Sequence, residues 1–463
     1  SLMSTGSVPA AWKTAVVTPV NKSGLSSEPS NYRPISLTSV FCKLMERIIV
    51  TEVLQYSKKH GLISNQQHGF LSKRSTATNL LESLDDWTCA FVNRNSAFIA
   101  YIDFKIAFDS VCHKKHFARL MSLGFSGVLL KFIQSLLTGR TQRTRVGNCF
   151  SDAVELISGV IQGSCIGPLL FILFINSVSR LHDVEITCKM YADDVKLYME
   201  LTCDSGIDKL QKSLDEVSKW AALWQLPISL TKCTVLTLNP KKGEVEPVLF
   251  LDKCKLATVL QMKDLGITID SKLKFNAHID KIVGKARSRA SLIFRSFKSR
   301  NRSNLFQAFV VYVRPLLEYC SAVWSPHYKY AIEKLESVQR RFTKRLPGLS
   351  CVEYNNRLLL LNTTSLEHRR LVADLVMLYK IVFDVCDCDL KCKLIFKTDV
   401  VPTRGNPYKL KSITARCDID KYRFINRTVA VWNTLPPSVV KFNSLKSFKS
   451  SVIKANLHIY PFL

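Results

Sequence analysis

Residues 186–200 read ITCKMYADDVKLYME, and the alternation within them decides the fold. Ile186, Cys188 and Met190 stand two apart before the turn, and Val195, Leu197 and Met199 stand two apart after it. Period-two apolar spacing on both sides of a tight turn predicts a β-hairpin with Asp193 and Asp194 at its tip. Adjacent aspartates in a turn are ordinarily turn formers. A second strand changes that reading, because the apolar run Ala97 to Ile102 (AFIAYI) leads straight into Asp103. An aspartate that closes a strand can meet the hairpin pair across adjacent strands. Three carboxylates at one sheet edge repel one another unless a hard divalent cation lies between them. Two Mg²⁺ ions about 4 Å apart would stabilise the attacking and leaving oxygens of an in-line phosphoryl displacement.

Between the acidic strands lies GVIQGSCIGP, residues 159–168, whose glycines allow close backbone approach to a ligand. The apolar run Leu169 to Ile175 follows as a buried helix or core segment. Phe108 and Asp109 stand shortly after Asp103.

The wider composition bounds the function. The 463 residues carry 65 Lys or Arg against 37 Asp or Glu, a net charge of +28, with 47% hydrophobic residues. That is enough apolar material for a substantial core, and disorder is excluded as the main state. At about 150 residues per domain the length suggests roughly three domains. No apolar run approaches the ~20 residues a membrane span needs; Ile166 to Asn176 is broken by Gly167 and Pro168. An odd count of 15 cysteines argues for a reducing compartment. The chain opens at Ser1 with no secretory signal and no initiator Met, as a piece of a longer protein would. The positive charge calls for a polyanionic partner. It is concentrated between Ser271 and Arg345, with 17 Lys or Arg against 4 Asp or Glu. There Ile279, Ile282, Val283, Ala286, Ala290, Ile293, Phe294 and Phe297 share one helix face, and Lys281, Lys285 and Arg289 form a separate stripe. Isolated charge runs are usually solvated faces, but those mix both signs. Turn-rich clusters at Asn21 to Asn31, Asn239 to Pro247, Leu346 to Ser350 and Pro402 to Pro407 punctuate the chain.

In order and spacing, YIDFKIAFDSV (101–111), GVIQGSCIGPLLFILFIN (159–176) and YADD (191–194) resemble the reverse transcriptase core of non-LTR retrotransposons. WKTAVVTPVNKSG and NYRPISLTSVFCKLMERII look like the fingers entry of that family, and QQHGFLSKRSTATNLL like its next block. LGITIDSKLKFNAHI is similar to the passage from palm to thumb. RPLLEYCSAVWSPHY, LESVQRRFTKRL and SLEHRRL resemble the tail of the jockey and CR1-like branch.

The resemblance implies an α+β right-hand polymerase with an antiparallel palm sheet, mixed fingers, a helical thumb and a helical C-terminal region. Its division would be 1–96 fingers, 97–270 palm with a finger-contacting helical insertion, 271–347 basic thumb and 348–463 C-terminal region. Asp103 and Asp193 would be catalytic metal ligands, joined by Asp194 and the Phe104 carbonyl. Two Mg²⁺ ions would be the cofactor, with Mn²⁺ tolerated. Phe108 would lie beneath the sugar and exclude a 2′-hydroxyl, selecting dNTPs over rNTPs. Gln162 and Gly163 would line the nucleotide pocket, with Arg33 and Lys22 neutralising the triphosphate. Lys232 would be the proton donor to pyrophosphate. Lys281, Lys285 and Arg289 would meet nucleic acid. The implied partners are an RNA template and a DNA primer or nicked target DNA, with no membrane and with the endonuclease domain missing from this chain. The implied location is nucleus and cytoplasm, as a ribonucleoprotein.

The chain departs from the family pattern at Lys105, Ile106, Ile161, Ser177 and Ser229, none of them a metal ligand. A catalytically decayed or domesticated nucleic-acid-binding protein derived from such an element is therefore the rival expectation, and an RNA-synthesising polymerase is disfavoured by Phe108. Cys386, Cys388 and Cys392 lack a fourth ligand at zinc-knuckle spacing. Thr364 to Glu367 reads as a capping box opening a helix with Leu371, Leu375, Leu378 and Val382 inward. Phe309, Tyr312, Tyr319 and Trp324 could stack on bases or serve as packing.

Overall fold

All six side chains of Ala97–Ile102 are buried, as a central strand requires. The computed structural model describes residues 5–22, 24–202, 206–241, 243, 247–397, 408–436 and 440–455. The turn cluster expected at Pro402 to Pro407 lies outside them, as do parts of the one at Asn239 to Pro247. The strands run β1 (Thr14–Asn21), β2 (Tyr32–Leu37), β3 (Ala97–Ile102), β4 (Arg140–Val146), β5 (Cys149–Phe150), β6 (Val154–Leu156) and β7 (Thr187–Tyr191). After these come β8 (Asp194–Glu200), β9 (Thr234–Leu238), β10 (Phe250–Leu251), β11 (Cys254–Lys255) and β12 (Ala257–Val259).

The chain forms two compact units. The first comprises Ser1–Ser72, Phe98–Val235 and Val245–Thr258. One of its sheets has the order β12-β9-β3-β8-β7; the other has β2-β1-β4-β5, with β6 on β4. The second sheet is mixed, since β1 runs antiparallel to β2 and parallel to β4. The predicted hairpin is present: β7 and β8 pair antiparallel, and their register closes at Tyr191 opposite Asp194. Behind this sheet, Gly167–Ile175 (GPLLFILFI) is a helix buried nearly all round, with Pro168 in its first turn where a missing N–H costs nothing. Phe98, Ala100, Ile102, Leu170, Phe171 and Leu197 share its core.

The second unit comprises Lys73–Ala97, Leu236–Glu244 and Val259–Leu463. It is mainly helical, with a hairpin of β13 (Gln261–Asp264) and β14 (Ile267–Asp270). The expected amphipathic helix runs over Asn276–Ser296 and buries Ile279, Ile282, Val283, Ala286, Ala290, Ile293 and Phe294. Phe309 and Trp324 are core residues, whereas Tyr312 and Tyr319 are about half exposed. The helix Leu366–Val382 buries Leu371, Leu375, Leu378 and Val382 as its spacing predicts. Its N-cap is Ser365 rather than Thr364, with the Ser365 hydroxyl accepting from His368 N. No described helix is long and apolar enough to cross a membrane.

Candidate active site

Asp103 leaves the end of β3 and is tied by its backbone to the segment 227–233. Its carbonyl accepts from Ser229 N at 2.7 Å, and Lys105 N donates to Pro227 O at 2.8 Å. Phe104 bridges Ile228, and its ring packs edge-on to Trp220. Ser229 acts here through its backbone, so its departure from the family pattern leaves this contact intact. The Asp103 carboxylate meets Lys232 Nζ at 3.1 Å. Lys232 is largely exposed, so the pair stabilises the fold by no more than about 1 kcal/mol.

Asp193 sits on the two-residue turn between β7 and β8, the latter a direct neighbour of β3. Burial pushes its carboxyl above the usual range, and the charge of Asp103 raises it further. A hydrogen bond to its own backbone and the cations Arg33 and Lys22 pull it back down. Arg33 lies on β2 opposite Val20, and Lys22 follows β1 with its N–H donating to Asn31 O. The hairpin of β1 and β2 thus delivers both cations to the field of Asp193. Asp194 begins β8 and is exposed. Among the described residues, no three His, Cys, Asp or Glu side chains converge as a metal-binding group. Of the three expected carboxylates, Asp103 acts electrostatically on Asp193, and Asp194, next along the chain, is exposed. An oxygen-only, anionic pair with burial working against its charge suits a hard divalent cation.

The loop 159–164 is held by backbone contacts. Val160 N donates to Phe108 O and Gly159 N to Val111 O. A Cβ on Gly159 would fall 2.7 Å from Asp109 Cα, and one on Gly163, at φ +110°, would fall 2.4 Å from Ser36 O. These glycines serve close approach to the protein's own backbone, where approach to a ligand was expected. Gln162 donates through Nε2 to both Asp109 oxygens, at 3.0 and 2.9 Å. Burial raises the Asp109 carboxyl, while Gln162 and Lys22 lower it. Pro34, Ser36, Asp109, Ser158 and Gln162 border a cavity of about 290 Å³. Phe108 is half-buried, stacked on Phe171 at 4.4 Å and edge-on to Phe70 at 6.1 Å.

Three contributors escape a reading of sequence alone. Asp109 is one, visible only as an acid following Phe108. Glu46 is fully buried and accepts from Cys165 N at 2.6 Å and Ile166 N at 3.3 Å, placing its charge at the start of the Gly167–Ile175 helix. Its signal was an acid set among apolar residues of FCKLMERII. Gln67 is the third; it contacts the hairpin turn. In the second unit, Lys281, Lys285 and Arg289 are all exposed on the helix Asn276–Ser296. Burial pushes the Cys386 thiol up to about 11, away from the thiolate that zinc requires.

Residues 20–269 match the family described as Reverse transcriptase (RNA-dependent DNA polymerase). Over 362 residues the chain is 28% identical to the RNA-directed DNA polymerase from mobile element jockey of Drosophila melanogaster, covering 75% of this chain and 39% of that protein. It is 24% identical over 352 residues to the probable RNA-directed DNA polymerase from transposon X-element of the same fly, covering 73% and 38%. The chain thus spans under two fifths of the length of these curated relatives. Among solved structures, apo telomerase from Candida tropicalis aligns over 81% of this chain and 67% of its own, at 11% identity and a TM-score of 0.43, too slight a likeness to argue from.

Proposed function

Since this chain belongs to the reverse transcriptase (RNA-dependent DNA polymerase) family, we propose that it copies an RNA template into DNA by adding dNTPs to a primer 3′-hydroxyl. The observation that carries this reading is the pairing of Asp103 with Asp193 on neighbouring strands, with Arg33 and Lys22 acting on the same carboxylate. In the reaction the primer 3′-oxygen loses its proton and bonds to the α-phosphorus as the bond to the β-phosphate bridge breaks. Asp103 and Asp193, with Asp194 and the Phe104 carbonyl, would hold divalent cations, Mg²⁺ by preference. When bound, such ions neutralise the charge developing on the entering and leaving oxygens. Arg33 and Lys22 meet the triphosphate. Gln162, held by Asp109, lines the nucleotide site with Gly163, and Phe108 closes it beneath the sugar against a 2′-hydroxyl. The Lys232 ammonium, beside Asp103, gives its proton to the departing pyrophosphate.

The exposed stripe of Lys281, Lys285 and Arg289 is assigned to the phosphates of the template–primer duplex. In this reading residues 1–96 act as fingers, 97–270 as palm, 271–347 as thumb and 348–463 as a C-terminal region. The primer is a nick in target DNA and the process is retrotransposition, from a ribonucleoprotein that moves between cytoplasm and nucleus. Extension of oligo(dT) on poly(rA) with Mg²⁺ tests the proposal. Incorporation of dTTP in preference to UTP is expected; no incorporation with either Mg²⁺ or Mn²⁺ would overturn it.

A further inference from the structure

The turn that presents Asp193 is not self-sufficient. Two-residue hairpin turns are ordinarily built from Asn-Gly or Gly-containing pairs that accept positive φ. Here the turn is Ala192-Asp193, and Ala192 sits at φ +57°, a conformation that costs a non-glycine residue about 1 kcal/mol or more. Something outside the hairpin must hold it. The segment 66–69 lies along β7: Met190 N donates to Gln66 O, His68 N donates to Met190 O, both at 2.9 Å, and Gln67 bridges Met190 in parallel. The Gln67 side chain is wholly buried, and its Oε1 accepts two hydrogen bonds, from Gly69 N and Ala192 N, each at 2.8 Å. A Cβ on Gly69 would fall 2.5 Å from Ala192 N, so only glycine lets the two backbones approach this closely.

We infer that Gln67 is a positioning residue for the reaction, its side-chain carbonyl holding the Ala192 N–H so that the carboxylate of Asp193 is fixed opposite Asp103. The inference rests on the polymerase reading. Gln67 does this with a neutral oxygen, adding no further negative charge beside the turn. Gly69 is the second half of the device, since it gives the clearance that the contact needs. Both residues are buried and act through the turn.

Two variants test this in the full chain. Gln67→Met replaces the amide with an apolar side chain of similar length and so removes the acceptor, while Gly69→Ala keeps the acceptor but puts a Cβ 2.5 Å from Ala192 N and 3.1 Å from Gln67 Oε1. For both, kcat for dTTP incorporation on poly(rA)/oligo(dT) is expected to fall at least about tenfold, as a misplacement below 1 Å would cause. Template–primer Kd and the KM for dTTP should stay within about twofold of wild type, since both residues are buried behind the turn. Mn²⁺ titrated calorimetrically into the protein should bind at least about threefold more weakly in the variants, the expected mark of a displaced carboxylate. A folded Gln67→Met protein with wild-type kcat and wild-type Mn²⁺ affinity would overturn the inference. So would a loss of kcat matched by an equal loss of template–primer binding. Were wild type itself inactive, the polymerase reading would fall, and the Mn²⁺ comparison would still decide whether Gln67 holds the carboxylate.

Discussion

Around Asp374, in the helical unit, a carboxylate with no exposure is closed off by its own chain. Arg427 donates to it through Nε at 3.0 Å and Nη2 at 3.3 Å, and also donates to the carbonyls of Tyr422 and Ala322. Burial pushes the Asp374 carboxyl up and Arg427 pulls it back. Asp193, in the other unit, is half-buried and also raised by burial, yet among the described residues no ion pair closes it. The charge of Asp103 works against it. The two carboxylates separate two uses of buried charge. Arg427, bonded to both of its oxygens, makes Asp374 a structural element. Asp193 keeps an unmet preference for positive charge, which a ligand can satisfy.

That contrast can be broken from either side. The largest effect belongs to Arg427→Met, which strands a buried charge and should cost about 3–5 kcal/mol, read by urea or thermal unfolding. A change below about 1 kcal/mol would show that the pair is not what closes the site. Acid should act on the first unit through His116, a fully buried ring whose pKa burial lowers from 6.5 to about 3. Because the folded state favours the neutral ring, stability is complete above pH 6.5 and is lost as pH falls toward 3, by up to about 1.4 kcal/mol per pH unit. His116→Leu should flatten that slope; an unchanged acid limb would show that other groups carry it. On the basic face, charge reversal of Lys281, Lys285 and Arg289 should weaken template–primer binding and shrink the salt dependence of log Kd by roughly one per lost phosphate contact. An unaltered salt slope would place the duplex elsewhere. The smallest effect is expected at Ile106, exposed and held at φ +47°, where Ile106→Asn should stabilise the fold by about 0.5–1 kcal/mol. Destabilisation there would mean the strained turn is held by contacts of the isoleucine itself.

Local pattern carried much of this structure into the sequence. The hairpin around Tyr191 and Asp194, the buried strand Ala97–Ile102 and the amphipathic helix Asn276–Ser296 all follow from spacing of apolar residues, a property each segment displays by itself. The strand order β12-β9-β3-β8-β7 does not, because it depends on which edges meet after collapse. The same limit applies at the site. Asp103 and Asp193 announce themselves by standing at strand ends, but the Gln162–Asp109 bond and the reach of Gln67 to Ala192 join residues far apart in the chain. Ser365 took the cap expected of Thr364 because both can serve, and only the backbone path selects between them. Ser177, a departure from the family pattern, proves to accept a hydrogen bond from Trp220 Nε1 at 2.9 Å, so that change has its own local partner.

The most direct test of the central claim pairs wild type with Asp193→Asn in one experiment. Single-turnover dTTP incorporation on poly(rA)/oligo(dT) with Mg²⁺ is measured beside template–primer Kd and Tm. With Asp193 as the uncompensated carboxylate of a polymerase, incorporation falls at least about a hundredfold, binding stays within about twofold, and Tm holds or rises as a buried like-charge conflict is relieved. Equal incorporation by the two proteins, or a loss of incorporation that merely follows a loss of folding, would contradict it.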